Sequence, residues 1–223
     1  MDYENKDDIK ELVIREASSL FLKQGYTKTT IRQIADACNL GRGHLYYYFK
    51  KKEDIVLDLY KSVIEKIYLY INNSQSNNMD PLLNYAMTQY IYITGIVSND
   101  ELFRMYIEAS SVTTLRNEYL VILKDLLKRK LMEIDYKGHF FSENDIRLSI
   151  IIGSAGEDEL LRRYYNKNID LTLEEIIKST IKTRLLLLNI SHNEVENIIS
   201  KCSAEVLKID INELINNINL LDI

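Results

Sequence analysis

Apolar residues recur at helical spacing along almost the whole chain. Ile9, Leu12, Val13, Ala17, Leu20 and Phe21 follow i, i+3, i+4, i+8, i+11 and i+12, one stripe over more than three turns. Asp7 or Asp8 is placed to cap its start, and Gly25 to end it. A shorter helix is predicted from Thr29-Thr30, where Thr30 and Gln33 fit a capping box. Ile31, Ile34, Ala35 and Cys38 make its inward face. Asn39 tolerates the left-handed conformation of a tight turn, Leu40 fills that turn, and Gly41 stands at the next N-cap. Arg42 to Phe49 then reads as a third short helix with Leu45 and Phe49 facing inward.

The pattern continues with a long helix from Glu53 to about Ile71. Asn72 to Pro81 is polar, holds the single proline, and reads as a loop. Further helices are predicted at about 82–98, 101–113 and 115–134, followed by a loop from Asp135 to Phe141. Ser142 with Asp145, Thr172 with Glu175, and Ser191 with Glu194 cap helices running to about Tyr165, Leu188 and Cys202. Asp210 with Glu213 starts a last one, with Ile211, Leu214, Ile215 and Ile218 as its stripe. No strand, repeat or low-complexity tract stands out, so the predicted fold class is all-α.

Composition narrows the function classes. With 46% hydrophobic residues the chain can bury a core, yet no window nears the roughly 20 apolar residues of a membrane span. Met1 to Lys10 is acidic and polar, unlike a secretion signal, so the expected location is the cytoplasm and no membrane partner is expected. Cys38 and Cys202 read as reduced core residues. The three histidines show no ligand spacing, so neither metal nor cofactor is expected. No nucleophile signature, phosphate loop or positioned acid–base pair argues for an enzyme. The net charge of −5 conceals an asymmetry. Lys23, Lys28, Arg32, Arg42, Lys50, Lys51 and Lys52 against Asp36 give residues 23–52 a charge of +6, while residues 53–223 carry −8. A basic segment on an acidic body is the footprint of a DNA-contacting module.

Two short helices joined by a four-residue turn, behind a longer first helix, make a helix-turn-helix over about residues 30–49. Its last helix would enter the major groove, with Arg42, His44 and Tyr47 pointing outward if Leu45 and Phe49 face the core. The stretches Thr29-Thr30-Ile31-Arg32-Gln33-Ile34-Ala35, Leu40-Gly41-Arg42-Gly43-His44-Leu45-Tyr46-Tyr47-Tyr48-Phe49 and Lys52-Glu53-Asp54-Ile55 resemble the TetR/AcrR family of bacterial regulators. The signature covers about residues 8–56; residues 57–223 carry no diagnostic motif. The resemblance implies an N-terminal three-helix DNA-binding domain at 1–52 and a larger helical ligand-binding and dimerisation domain at 53–223. It implies phosphate contacts from Thr29 or Thr30, Tyr46 and Lys52, and backbone or base contacts from Arg32. Arg42, Gly43 and His44 would open the recognition helix, with Tyr47 beside them. The chain departs from the family's habit at Asn39, often Gly, at Gly41, often Ser or Thr, and at His44, usually small, so an unusual base preference is expected.

The same resemblance implies a sequence-specific transcriptional regulator, a repressor released from a palindromic double-stranded DNA operator by a small-molecule effector. One recognition helix per chain implies a homodimer. Helices 143–165 and 173–188 would form the interface, with the small residues of Ile150 to Gly156 serving either that contact or packing within the chain. Aromatic and polar positions at Tyr85, Gln89, Tyr92, Phe103, Tyr106 and Glu157 are the candidate ligand-binding residues. Glu157-Asp158-Glu159 reads either as the mark of a cationic ligand or as a solvated acidic patch. The 191–223 extension either adds to the dimer or covers the body. The alternative function is an architectural or division-control protein on the same scaffold, without an inducer.

Overall fold

The computed structural model describes residues 6–74, 79–132, 135–211 and 213–214. Among the described residues ten helices follow one another: α1 (Lys6–Gln24), α2 (Ile31–Ala37), α3 (Arg42–Tyr48), α4 (Lys52–Ser74), α5 (Pro81–Val97), α6 (Asp100–Ser110), α7 (Thr113–Leu131), α8 (Glu143–Tyr165), α9 (Leu173–Leu187) and α10 (His192–Val206). Among the described residues the nearest thing to a strand is a single antiparallel bridge, Tyr136 to His139, across the turn at Lys137 and Gly138. No helix among them is long and apolar enough to cross a membrane.

Helices α1–α3 form a small head. The apolar stripe of α1 is buried at Ile9, Val13, Ala17 and Phe21, and packs with Ile34, Ala35, Leu45 and Phe49 from the next two helices. The capping box at Thr30 and Gln33 is present, with both reciprocal bonds. After α2, Asn39 takes φ 52°, its N–H donates to the Asp36 carbonyl, and the Leu40 N–H donates to the Ala35 carbonyl. That pair of bonds satisfies carbonyls left over at the helix end. It also sets the angle at which α3 leaves. The same device ends α8 at Lys167 and α9 at Asn189.

Helix α4 leads from the head into the body, touching α1 at one end and α5 and α7 further on. Helix α5 is central, with α4, α6, α9 and α10 around it. Helices α8 and α9 lie side by side, because Gly153 lets α9 come close: a Cβ there would stand 2.5 Å from Arg184 Cγ. Both cysteines are buried and unpaired, and burial raises their thiols to about 11 for Cys38 and about 12 for Cys202.

Three sequence expectations are corrected. Asp7 and Asp8 lie within the first turn of α1 rather than capping it, where their charge still favours the positive helix end. The loop after α4 is shorter than its polar composition suggested: Asn72 and Asn73 remain helical, and Pro81 opens α5 behind an Asp80 cap. Glu157-Asp158-Glu159 is neither free to greet a cation nor a solvated patch. Glu157 is buried against Arg184, Asp158 pairs with Arg116 at 3.0 Å, and Glu159 with Arg163 at 2.7 Å. The expected stripe at Ile215 and Ile218 lies outside the described residues.

Candidate nucleic-acid interface and body cavity

Helix α3 is amphipathic over two turns. Leu45 is fully buried and Phe49, its C-cap, nearly so. Arg42, Gly43, His44, Tyr46 and Tyr47 are exposed, with Tyr46 at 43% and Tyr47 at 65%. Two large aromatics left in water beside a buried leucine are costly to a lone monomer unless something covers them. Tyr48 is half-buried and supports the outer rings: Tyr47 meets it edge-on at 5.1 Å, and His44 at 5.5 Å. No Cβ would clash at Gly41 or Gly43, so the start of α3 presents open backbone.

Around this helix, Thr30 is exposed at the N-cap of α2 and Arg32 is exposed one turn on, 3.8 Å from Asp36. Lys28 and Lys50 are exposed cations on either side, the latter bonded to the Tyr46 carbonyl. Two expected contacts are placed differently. Thr29 is buried; its hydroxyl donates to the Gly25 carbonyl at 2.8 Å and accepts from Gln24. Lys52 turns inward, donating to the carbonyls of Tyr26 (2.7 Å) and Thr29 (2.8 Å), with its Nζ 4.0 Å from the Tyr26 ring centre. Burial lowers its pKa. Lys52 thus ties the loop before α2 to the start of α4.

The head is fastened to the body at several places, among them a bond from Arg104 of α6 to the Leu22 carbonyl. The Thr27 N–H donates to Glu108 Oε2 at 2.8 Å, and Glu108 packs so close to Gly25 that a Cβ there would lie 2.8 Å from its carboxylate. Gly25 also has φ +91°, so both space and backbone conformation require glycine. Lys51 pairs with Glu118 of α7.

The body holds a cavity of about 50 Å³ between α4, α5, α7, α8 and α9. Tyr85, Gln89 and Tyr92 line it, together with leucines of α7, Lys130 and Arg184. Glu157 stands behind Arg184, bonded to it at 3.1 Å and to Gln89. Burial pushes the Glu157 carboxyl up, and the Arg184 guanidinium opposes that. Phe103 and Tyr106 are elsewhere: Phe103 packs on Tyr164 and Tyr165, and Tyr106 donates to Asp158 at 2.7 Å. Among the described residues no group of His, Cys, Asp and Glu is arranged to hold a metal.

Residues 13–59 match the family model described as bacterial regulatory proteins, tetR family. The match takes in most of the head and the start of α4, and in that part the chain is similar to the tetR family. It is 25% identical over 103 residues to YuxN of Bacillus subtilis, an uncharacterized HTH-type transcriptional regulator, covering 46% of this chain and 35% of YuxN. It is 29% identical over 106 residues to IcaR of Staphylococcus aureus, the negative transcriptional regulator of the biofilm operon icaADBC, covering 46% of this chain and 54% of IcaR. The matches therefore span about a third to a half of these relatives. Thermus thermophilus FadR, a repressor solved with lauroyl-CoA, superposes with a TM-score of 0.60 at 18% identity, over 79% of this chain and 93% of that one.

Sequence reasoning missed the most buried charge of this chain. Arg184 sits in the run Thr183-Arg184-Leu185-Leu186-Leu187-Leu188, and a lone cation on an apolar helix stripe was the available signal. Lys28 and Lys50 were counted for charge but not as contacts.

Proposed function

We propose that this protein is a homodimeric DNA-binding repressor, with a head at residues 1–52 that reads a palindromic operator and a body at 53–223 that dimerises and senses a small molecule. The observation that carries the reading is the outer face of α3: Arg42, His44, Tyr46 and Tyr47 exposed on a helix whose other side is sealed in the head core. Such a helix fits the major groove, with its N-terminal side chains against base edges. Thr30, Tyr46, Lys28 and Lys50 are the phosphate contacts in this reading, and Arg32, Arg42 and His44 reach base edges. The dimer reading draws on exposed Leu148, Ile151 and Ile152 of α8, spaced i, i+3, i+4, with exposed Leu186 of α9. The effector reading draws on the body cavity, and on FadR having been solved with lauroyl-CoA.

Fluorescence anisotropy on DNA from the protein's own promoter, extended to a random-sequence selection, tests this. Wild type is expected to bind specifically, with affinity falling steeply as salt rises. Arg42→Ala is expected to cost about 1–3 kcal/mol on the specific site and little on random DNA. Lys50→Ala is expected to weaken all sequences and lower the salt slope by about one. No specific site from the selection, with both variants matching wild type, sinks the reading. The small volume of the cavity favours a second reading, a DNA-binding architectural protein without an inducer. That reading predicts that no small molecule changes DNA affinity.

A further inference from the structure

Arg184 reaches the centre of the body and is 1% exposed. Its Nη2 donates to Ser154 Oγ at 3.0 Å and Glu157 Oε2 at 3.1 Å. Its Nε and Nη1 make no well-formed hydrogen bond among the described residues, and the Tyr85 hydroxyl, whose oxygen faces Arg184, has no acceptor for its own proton. Arg184 and Tyr85 both line the body cavity. An unmet buried donor is costly, and more so when charged. Several at one cavity point to an acceptor that comes from outside the chain.

The charge of the wall says what kind of acceptor. Glu157 neutralises Arg184. Lys130, the second cation on the wall, lies over the Tyr68 ring, and its distant carboxylate Glu65 is shared with Arg129. Burial brings the Lys130 pKa down to about 8, which marks an ammonium poorly served by water. The lining is therefore net positive; Thr88 and Gln89 add uncharged polar groups on α5, and the α7 side is apolar, with Leu123, Leu126, Leu127 and Leu131. We propose that the cavity binds a monocarboxylate with a compact apolar body, its carboxylate accepting from the unpartnered donors of Arg184 and Tyr85, and its apolar part lying against the leucines of α7. This rests on the reading that the body senses a small molecule.

The size of the cavity supplies the coupling. Its 50 Å³ is well below the roughly 150 Å³ of an apolar void that holds benzene. Such a ligand must push back the α7 leucines and Ile64 of α4. Helix α4 begins at Lys52, directly behind α3 and bonded to the loop before α2. A ligand that binds the displaced arrangement more tightly shifts the head with it.

Isothermal titration calorimetry on the full chain, without DNA, tests the proposal with butyrate, octanoate and benzoate. The controls are 1-octanol for the missing charge and octanoyl-CoA for a thioester in place of the carboxylate. At least one carboxylate is expected to bind saturably, and octanol at least tenfold more weakly than octanoate. Tyr85→Phe is expected to weaken that carboxylate about tenfold while changing the melting temperature little, because the hydroxyl's one neighbour, Arg184, keeps its bonds to Ser154 and Glu157. Lys130→Met is expected to weaken it severalfold. The proposal is overturned if none of the three carboxylates binds, if octanol equals octanoate, if only octanoyl-CoA binds, or if Tyr85→Phe leaves affinity intact. DNA affinity is measured separately. Carboxylate binding without any DNA site overturns the regulator reading alone, and DNA binding without carboxylate binding overturns this inference alone.

Discussion

The head and the body place their polar groups in opposite ways. In the head, Thr30, Arg32, Arg42 and His44 point to water over a core that buries no charged side chain and only the hydroxyls of Ser18 and Thr29. In the body, Arg184, Glu157, Ser149, Thr180 and Asn84 are buried. Charges in water are cheap and available to a partner. Charges in a core are costly, and survive there only when paired. The head is therefore arranged to be covered by something outside it. The body holds its charges in a fixed internal geometry that a ligand can complete or disturb.

The largest effect expected from this contrast is at Glu157. Glu157→Gln removes the countercharge of a buried guanidinium, and should lower unfolding free energy by about 3–5 kcal/mol in urea melts. The double variant Glu157→Leu with Arg184→Met should recover most of that. A loss under 1 kcal/mol for the single variant would mean that water reaches Arg184 and the body is not dry. Next, Gly153→Ala should cost about 1–3 kcal/mol, because its Cβ meets Arg184 Cγ at 2.5 Å. Gly43→Ala on the open face of α3 should instead gain up to about 1 kcal/mol. Equal signs for the two glycines in thermal melts would break the comparison. Smaller again, Thr30→Ala should cost about 1 kcal/mol through the lost cap. Smallest, Arg42→Ala should move stability by no more than about 0.5 kcal/mol, whatever it does to DNA affinity. A larger loss would show that Arg42 serves the head's core.

Local pattern read the head well because its determinants are local. The capping box at Thr30, the turn at Asn39 and the inward pair Leu45 and Phe49 all lie within a few residues of what they shape. Lys52 escaped for the converse reason: its partners are carbonyls more than twenty positions away, and nothing in Lys50-Lys51-Lys52 says which amine turns inward. Of the proposed cavity residues, Tyr85, Gln89 and Tyr92 share one wall. Phe103 and Tyr106 have the same composition but face other neighbours, since aromatic character does not encode direction across five helices.

The sequence by itself determined the helical class, most helix caps and the inside and outside of α3, since periodicity and capping act over one or two turns. Only the tertiary structure decided that Glu157 is neutralised, that Gly153 serves the α8–α9 contact within the chain, and that Lys52 is a brace. Each of those depends on which distant helix supplies the partner, and close packing of α5 against its four neighbours selects that.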